Sequence, residues 1–276
     1  MGDDQEVPRP LAHHRDFDPA ALVRARSGRS ISVCLPARDE EQTVGPIVAA
    51  VRRALVSGAG GVDLVEEVLV VDDGSTDATA AVAAAAGARV VPAGSAGGGK
   101  GQALTVAVEA ARGDVLVFLD ADVENFSPHF VTGLLGPVLT DDDVALVKAF
   151  YDRPLADDPT GGGRVTELVA RPLLDLLFPA LAGIRQPLAG ETAAPRSVLE
   201  KTGLDPDYGI ELGLLLDVAD RFGPDAVAQV DLGVRHHRHR PLAELRHAAA
   251  DVLAAGLRRR PATDAPLPPS RRPPWS

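Results

Sequence analysis

Asp120 and Asp122 stand either side of Ala121, directly after the apolar run 115–119. That run, Val-Leu-Val-Phe-Leu, is rich in branched and aromatic side chains and predicts a buried central strand. Like charges this close repel, and desolvation penalises each of them. A divalent cation bridging to a diphosphate would supply a reason for the pair. A solvated strand-to-loop turn, with Asp122 capping a helix, would account for it as well. A second acidic turn, Asp72-Asp73-Gly74-Ser75-Thr76-Asp77, follows the predicted strand 66–71. A third, Pro36-Ala37-Arg38-Asp39-Glu40-Glu41, follows the predicted strand 31–35.

Three basic or glycine-rich stretches could complement these carboxylates. Residues 94–100 satisfy G-x-x-x-x-G-K, but Gly101 stands where a phosphate-binding P-loop needs Ser or Thr for magnesium. The stretch suits a flexible lid delivering Lys100 to phosphate or sugar oxygens, or a plain surface loop. Arg235-His236-His237-Arg238-His239-Arg240 follows another predicted strand. Alternate residues of an extended segment share a side, so Arg235, His237 and His239 face one way. Such a set can ligate a cation and neutralise a diphosphate, or form a solvated basic turn. Zinc is disfavoured, because no thiol is near and H-x-x-x-H spacing is absent. Gly161-Gly162-Gly163 precede Arg164 and Thr166 at a predicted helix start. Free backbone N–H groups there and the bidentate Arg164 favour a phosphate or carboxylate; a flexible hinge is the plainer reading.

The elements that must hold these groups alternate. A helix is predicted over 43–56, with Val44, Ile47, Val48, Val51 and Leu55 on one face. Another is predicted from a Ser75 or Thr76 cap to about residue 86, then a short strand over 88–91 and a helix over 102–112. This β-α alternation implies a mostly parallel, Rossmann-like sheet with helices on both faces. Ligands then bind beyond the carboxyl ends of the strands, where all three acidic turns fall. The second half is less regular. Helices are predicted at 128–139, 164–177, 208–222 and 241–257, with Glu211 near the start of the third. Strands are predicted at 144–150 and 226–234, and 186–194 shows no period. Residues 1–29 are expected to form a flexible N-terminal arm with one short helix near 19–26, and 258–276 a Pro-rich disordered tail. Between them lie two halves of one domain, 30–150 and 151–257.

The chain has 276 residues, 45% of them hydrophobic, so a sizeable core is available. A net charge of −11 argues against a nucleic-acid or anionic-membrane surface, so a phosphorylated ligand must be held by local basic groups. The single cysteine, Cys34, excludes a disulfide framework and reads as a small core residue in a reducing compartment. Without a long apolar run or an N-terminal apolar leader, the expectation is a cytoplasmic protein with no membrane partner.

The three acidic turns together resemble family-2-like GT-A glycosyltransferases. Residues 161–174 (GGGRVTELVARPLL), 186–194 (QPLAGETAA), 208–215 (YGIELGLL) and 228–241 (AQVDLGVRHHRHRP) resemble actinobacterial glucosyl-3-phosphoglycerate synthases more narrowly. The resemblance covers roughly residues 30–257. It implies a GT-A fold, with a nucleotide-sugar-binding half over 30–150 and an acceptor-binding half over 151–257, and a retaining, Mg²⁺- or Mn²⁺-dependent, homodimeric enzyme; the substrates implied are UDP-glucose and the 2-hydroxyl of 3-phosphoglycerate. By matched motif, Pro36, Ala37, Glu40 and Asp73 would hold uridine, and Asp120 with Ala121 the ribose side of the nucleotide. Asp122 and His237 would ligate the metal, and Arg235 and Lys100 would neutralise phosphate. Gly163, Arg164, Thr166 and His239 would hold the acceptor. Leu188 would present its backbone carbonyl to the anomeric carbon, and Glu211 would bind glucose hydroxyls. His239 and Thr192 depart from the family pattern. Relatives using GDP-mannose are the nearest alternative. A nucleotidyltransferase would want a glycine-rich basic loop where Pro36–Glu41 is acidic, and a non-catalytic binding protein would be expected to lose a metal ligand or Glu211.

Overall fold

A computed structural model describes residues 11–57, 61–94, 98–154, 163–236 and 245–260. Its strands are β1 (Ala12–His13), β2 (Ile31–Ala37), β3 (Glu67–Asp72), β4 (Arg89–Pro92), β5 (Val115–Phe118), β6 (Leu146–Asp152), β7 (Thr192–Pro195) and β8 (Val227–Val234). They form one sheet in the order β1-β8-β6-β7-β5-β2-β3-β4. β7 runs antiparallel to both neighbours, and every other pair is parallel. The helices are α1 (Pro19–Ala25), α2 (Val44–Leu55), α3 (Thr79–Ala85), α4 (Gly99–Ala110), α5 (His129–Thr140), α6 (Arg171–Leu177), α7 (Arg196–Leu199), α8 (Ile210–Phe222) and α9 (Leu245–Arg258). None is long and apolar enough to cross a membrane among the described residues.

Alternation along the strands builds two cores. Val33, Leu35, Val117 and Val147 pack with α1, α2 and α5 on one face. Cys34, Leu116, Phe118 and Leu146 pack with α4, α6, α8 and α9 on the other. Cys34 is fully buried, and burial pushes its thiol well above the ordinary range, so it is an inert core residue as expected.

The structure departs from the sequence expectations at four places. Residues 11–29 are docked rather than loose: β1 pairs with β8, α1 buries Leu22, and His14 stacks on His129 with ring centroids 4.1 Å apart. Arg29 also donates to the carbonyls of Val138 and Leu139 at the end of α5. Second, Ser75 and Thr76 do not cap α3. Ser75 Oγ accepts from the Asp39 N–H and the Thr76 N–H donates to Asp39 Oδ1, which staples two acidic turns together. Asp39 takes φ 55° to do so, a left-handed conformation that Asp tolerates. Third, α4 begins at Gly99, so Lys100 sits in a helical first turn and is no lid. A Cβ at Gly101 would collide with the Asp205 carbonyl oxygen. The Ser or Thr of a P-loop therefore has no room there. Fourth, the aperiodic stretch contains β7, wedged between β5 and β6. Because β7 is antiparallel, Thr192 pairs with Phe118 at the carboxyl end of β5. The segment 186–191 is thereby carried across the acidic edge.

Of the tail expected over 258–276, Arg258 ends α9 and residues 261–276 lie outside the described residues, as do residues 155–162 and the start of the last predicted helix.

Candidate active site

A cleft of about 590 Å³ opens at the carboxyl edge of the sheet. Its size lies in the usual range for small-molecule sites. Pro36, Ala37, Arg38, Asp39 and Glu40 line it from the end of β2, Asp73 from β3, and Asp120, Ala121 and Asp122 from β5. Lys100 enters from the first turn of α4, Glu211 from the first turn of α8, Leu188 from the loop before β7, and Arg153 and Arg235 from the ends of β6 and β8.

The turn after β2 is tightly framed. The Asp73 N–H donates to the Ala37 carbonyl at 2.9 Å, and the Glu40 N–H to Thr79 Oγ1 at 2.7 Å. Thr43 Oγ1 donates to the Ala121 carbonyl at 2.6 Å, tying the end of β5 to the same turn. Asp73 is buried, and its Oδ1 has no partner, while Oδ2 accepts from the Gly99 N–H at 3.2 Å. An unsatisfied buried acceptor at a cleft wall suits a ligand N–H or hydroxyl.

The centre is a chain of alternating charges. Lys100 Nζ lies 2.7 Å from Asp120 Oδ1 and 2.6 Å from Glu211 Oε1. Arg235 Nη2 lies 2.9 Å from Asp120 Oδ2 and 2.6 Å from Asp122 Oδ1. Both Asp120 oxygens are therefore engaged. Burial works to raise the Asp120 carboxyl, but Lys100 and Arg235 overcome it and hold it well below the carboxylate range. Burial likewise works against charged Lys100, and Asp120 with Glu211 reverse this and push the ammonium up. Gly190 passes directly over the pair: a Cβ there would collide with Asp120 Oδ1 and Lys100 Nζ.

Beneath lies a second layer that the sequence did not reveal. Tyr151 Oη donates to Glu191 Oε2 at 2.6 Å and accepts from Arg235 Nη1 and Arg153 Nη2, each at 2.9 Å. Arg235 Nε also faces Glu191 Oε1 at 3.2 Å without hydrogen-bond alignment. Glu191 has no exposed surface, and burial raises its carboxyl despite Arg235. Burial also pushes the Tyr151 phenol up to about 12. Lys148, on β6 and 1% exposed, donates to the Ala189 carbonyl at 2.6 Å and anchors the loop between Leu188 and Glu191. Burial brings its ammonium down to about 8.

The structure brings Pro36, Ala37, Glu40, Asp73, Lys100, Asp120, Ala121, Asp122, Leu188, Glu211 and Arg235 into one cleft. Gly163, Arg164 and Thr166 flank it. Val165 between them lines the wall, and Thr166 is buried in a π-helical turn, a feature common at functional sites. His237 and His239 lie outside the described residues. A hard cation fits the chemistry of what is described: Asp122 lines the cleft with its Oδ1 held by Arg235, and carboxylate oxygen suits Mg²⁺ or Mn²⁺. Among the described residues no three His, Cys, Asp or Glu side chains converge as a complete metal cage.

Residues 32–170 match glycosyl transferase family 2. The glucosyl-3-phosphoglycerate synthase of Mycolicibacterium paratuberculosis is 51% identical over 253 residues, which cover 87% of this chain and 75% of that protein. The enzyme of the same name from Petrotoga mobilis is 39% identical over 90% of this chain and 79% of its own. The crystal structure of glucosyl-3-phosphoglycerate synthase from Mycobacterium tuberculosis with Mn²⁺, UDP-glucose and phosphoglyceric acid superposes with a TM-score of 0.80. It is 46% identical and covers 91% of this chain and 85% of the other. A structure of that enzyme with Mg²⁺ and UDP gives the same TM-score, at 44% identity over 94% and 87% of the two chains. With this identity carried across nearly the whole GT-A fold, and with the motifs of both halves meeting in one cleft, the chain belongs to the glucosyl-3-phosphoglycerate synthase family of glycosyltransferases.

Proposed function

We propose that this chain transfers glucose from UDP-glucose to the 2-hydroxyl of 3-phosphoglycerate, with retention at the anomeric carbon. The observation that carries the reading is the continuity of the cleft, which runs from the uridine-side turn at Pro36 and Asp73, past Lys100, Asp122 and Glu211, to Leu188 and Val165.

Pro36, Ala37, Glu40 and Asp73 hold uridine, and Asp120 with Ala121 borders the ribose. Asp122 and His237 hold Mg²⁺ or Mn²⁺, which when bound neutralises the diphosphate leaving group. Lys100 and Arg235 stand ready beside that diphosphate, each already oriented by Asp120. Glu211 binds glucose hydroxyls, its carboxylate aimed by Lys100. Gly163, Arg164, Thr166 and His239 hold the acceptor. A double displacement needs a carboxylate free to reach the anomeric carbon. Glu191 is sealed under Tyr151 and Arg235, so it is a scaffold and no nucleophile. The Leu188 carbonyl offers a dipole that stabilises a developing oxocarbenium ion without a lasting bond. The acceptor then attacks on the leaving-group face, and a phosphate oxygen of the departing UDP takes its proton. A cytoplasmic homodimer is the setting that accompanies this reading.

The test is UDP release from a panel of donors, UDP-glucose and GDP-mannose among them, against 3-phosphoglycerate, glycerate and no acceptor. UDP-glucose with 3-phosphoglycerate should be the productive pair, and NMR of the fresh product should show an α-linkage. Glu211→Gln should cut kcat strongly. A β-linked product, or a trapped glucosyl adduct on Glu211, would overturn the mechanism.

A further inference from the structure

Arg153 has no role in the roles assigned above, yet it occupies the wall between the charged centre and the acceptor-side residues. Its Nη2 donates to Tyr151 Oη at 2.9 Å, and its guanidinium carbon lies 4.8 Å from the centroid of the Tyr151 ring. That stack fixes the plane of the guanidinium. Its Nη1 lies 3.8 Å from where a Gly163 Cβ would be, so it faces the glycine that precedes Arg164. Nε is buried without a partner, and no carboxylate pairs with the guanidinium among the described residues. Lys100 and Arg235 are each matched by two or more carboxylates, whereas Arg153, in the same cleft, makes no ion pair among the described residues and feels Asp120 and Glu191 only at longer range. A cation held rigid, partly desolvated and unpaired at a cleft wall is suited to a ligand anion.

We propose that Arg153 is a second anion-binding arginine of the acceptor pocket, taking one negative end of the acceptor while Arg164 takes the other. This rests on the proposed acceptor: 3-phosphoglycerate carries a carboxylate at one end and a phosphate at the other, and one arginine cannot span both as a bidentate partner. The carboxylate is on the carbon bearing the attacking hydroxyl. Arg153 shares Tyr151 with Arg235 and so stands on the reacting-centre side of Gly163. The geometry therefore gives Arg153 the carboxylate and leaves the phosphate to Arg164. Gripping the acceptor at both ends also fixes the hydroxyl between them relative to the anomeric carbon.

The experiment is steady-state kinetics and UDP binding on Arg153→Ala and Arg153→Lys, with thermal melts to confirm folding. Arg153→Ala should raise the KM for 3-phosphoglycerate about ten- to hundred-fold, the range for loss of a charge-assisted contact, with the UDP Kd within about twofold of wild type. Arg153→Lys should recover part of the loss, because it keeps the charge but not the stacked fork. Added guanidinium ion should lower the raised KM of Arg153→Ala, which a purely structural defect would not allow. An unchanged acceptor KM in Arg153→Ala would overturn the inference, and so would a loss that falls on UDP instead. If wild type does not transfer to 3-phosphoglycerate at all, the proposed function falls and takes this inference with it. If wild type transfers and Arg153→Ala matches it, only the inference falls.

Discussion

Arg235→Met tests whether the buried charge layer is one interdependent unit. Arg235 is 4% exposed and touches Asp120, Asp122, Tyr151 and Glu191. Removing it leaves Glu191, which has no exposed surface, with Tyr151 as its hydrogen-bond donor. Breaking one partner of a buried ion pair costs about 3–5 kcal/mol, because the other charge stays buried. Total stability of a domain is about 5–15 kcal/mol, so Arg235→Met should shift the urea midpoint strongly. Glu191→Gln in the wild-type background should cost less, since Arg235 keeps both aspartates. Combined with Arg235→Met, Glu191→Gln should restore part of the loss, giving a coupling of about 1–3 kcal/mol in a double-mutant cycle. The pH sign follows from Glu191, whose carboxyl is raised in the fold above its ordinary value. A raised carboxylate stabilises the fold at low pH and loses that contribution as pH rises from the ordinary Glu range through the folded value. Arg235→Met should deepen that loss, and Glu191→Gln should abolish it. Denaturation by urea across pH 4–8 reads both effects. Additive single effects, with coupling below about 0.5 kcal/mol, would refute the unit.

Three other outcomes are expected. Asp122→Ala should abolish metal-dependent UDP binding, read by calorimetry with and without EDTA, and full wild-type activity in EDTA would remove the metal from the mechanism. Arg164→Ala should raise the acceptor KM about ten- to hundred-fold and leave UDP binding unchanged; a loss on UDP instead would place Arg164 at the wrong ligand. The docking of the N-terminal segment should be acid-sensitive. Burial, then His129, His13 and Arg15, bring His14 down to about 4 in the fold. The neutral ring is the favoured form, so this contribution is intact above about pH 6.5, the ordinary histidine value, and fades as pH falls towards 4. Amide exchange over residues 12–25 should quicken across that window in wild type and less so in His14→Phe; an equal response in both would dismiss the histidine stack as its cause.

The parallel half of the fold was legible because its periods are clean. Residues 31–35 are apolar but for Ser32 and 115–119 are apolar throughout, and Val44, Ile47, Val48, Val51 and Leu55 do form the buried face of α2. β1 and β7 were not legible. β1 is two residues long, and β7 is Thr-Ala-Ala-Pro, with no alternation to read. Each exists because a neighbour in the sheet offers an open edge, which is a long-range fact. The glycine-rich stretch misled differently. Gly101 suggested a loop, whereas the helix needs it bare because the backbone at Asp205 and Pro206 presses against it. In the site, carboxylates after strands announced themselves, since charge at a strand end breaks the apolar pattern. Tyr151 and Lys148 did not, because each lies within a strand and gains its meaning from a partner about forty residues away.

The acidic balance of the chain now has a local counterpart. At first sight a phosphorylated ligand in a protein of net charge −11 calls for a field of local cations. The cations are there, but Lys100 and Arg235 are already shared among Asp120, Asp122, Glu191 and Glu211. With Lys148 and Arg153 included, four cations stand against the four carboxylates Asp120, Asp122, Glu191 and Glu211, so the network has no surplus of positive charge to set against a diphosphate. What the network supplies is orientation. Asp120 spaces Lys100 and Arg235 apart, and its own carboxyl stays ionised under their influence, so both are held in place before any anion arrives. The missing charge comes with a divalent cation, of the kind held together with UDP in solved structures of this family. Metal dependence is thus a consequence of how this chain pairs its own charges, and it explains why carboxylates crowd a site whose proposed ligands are anions.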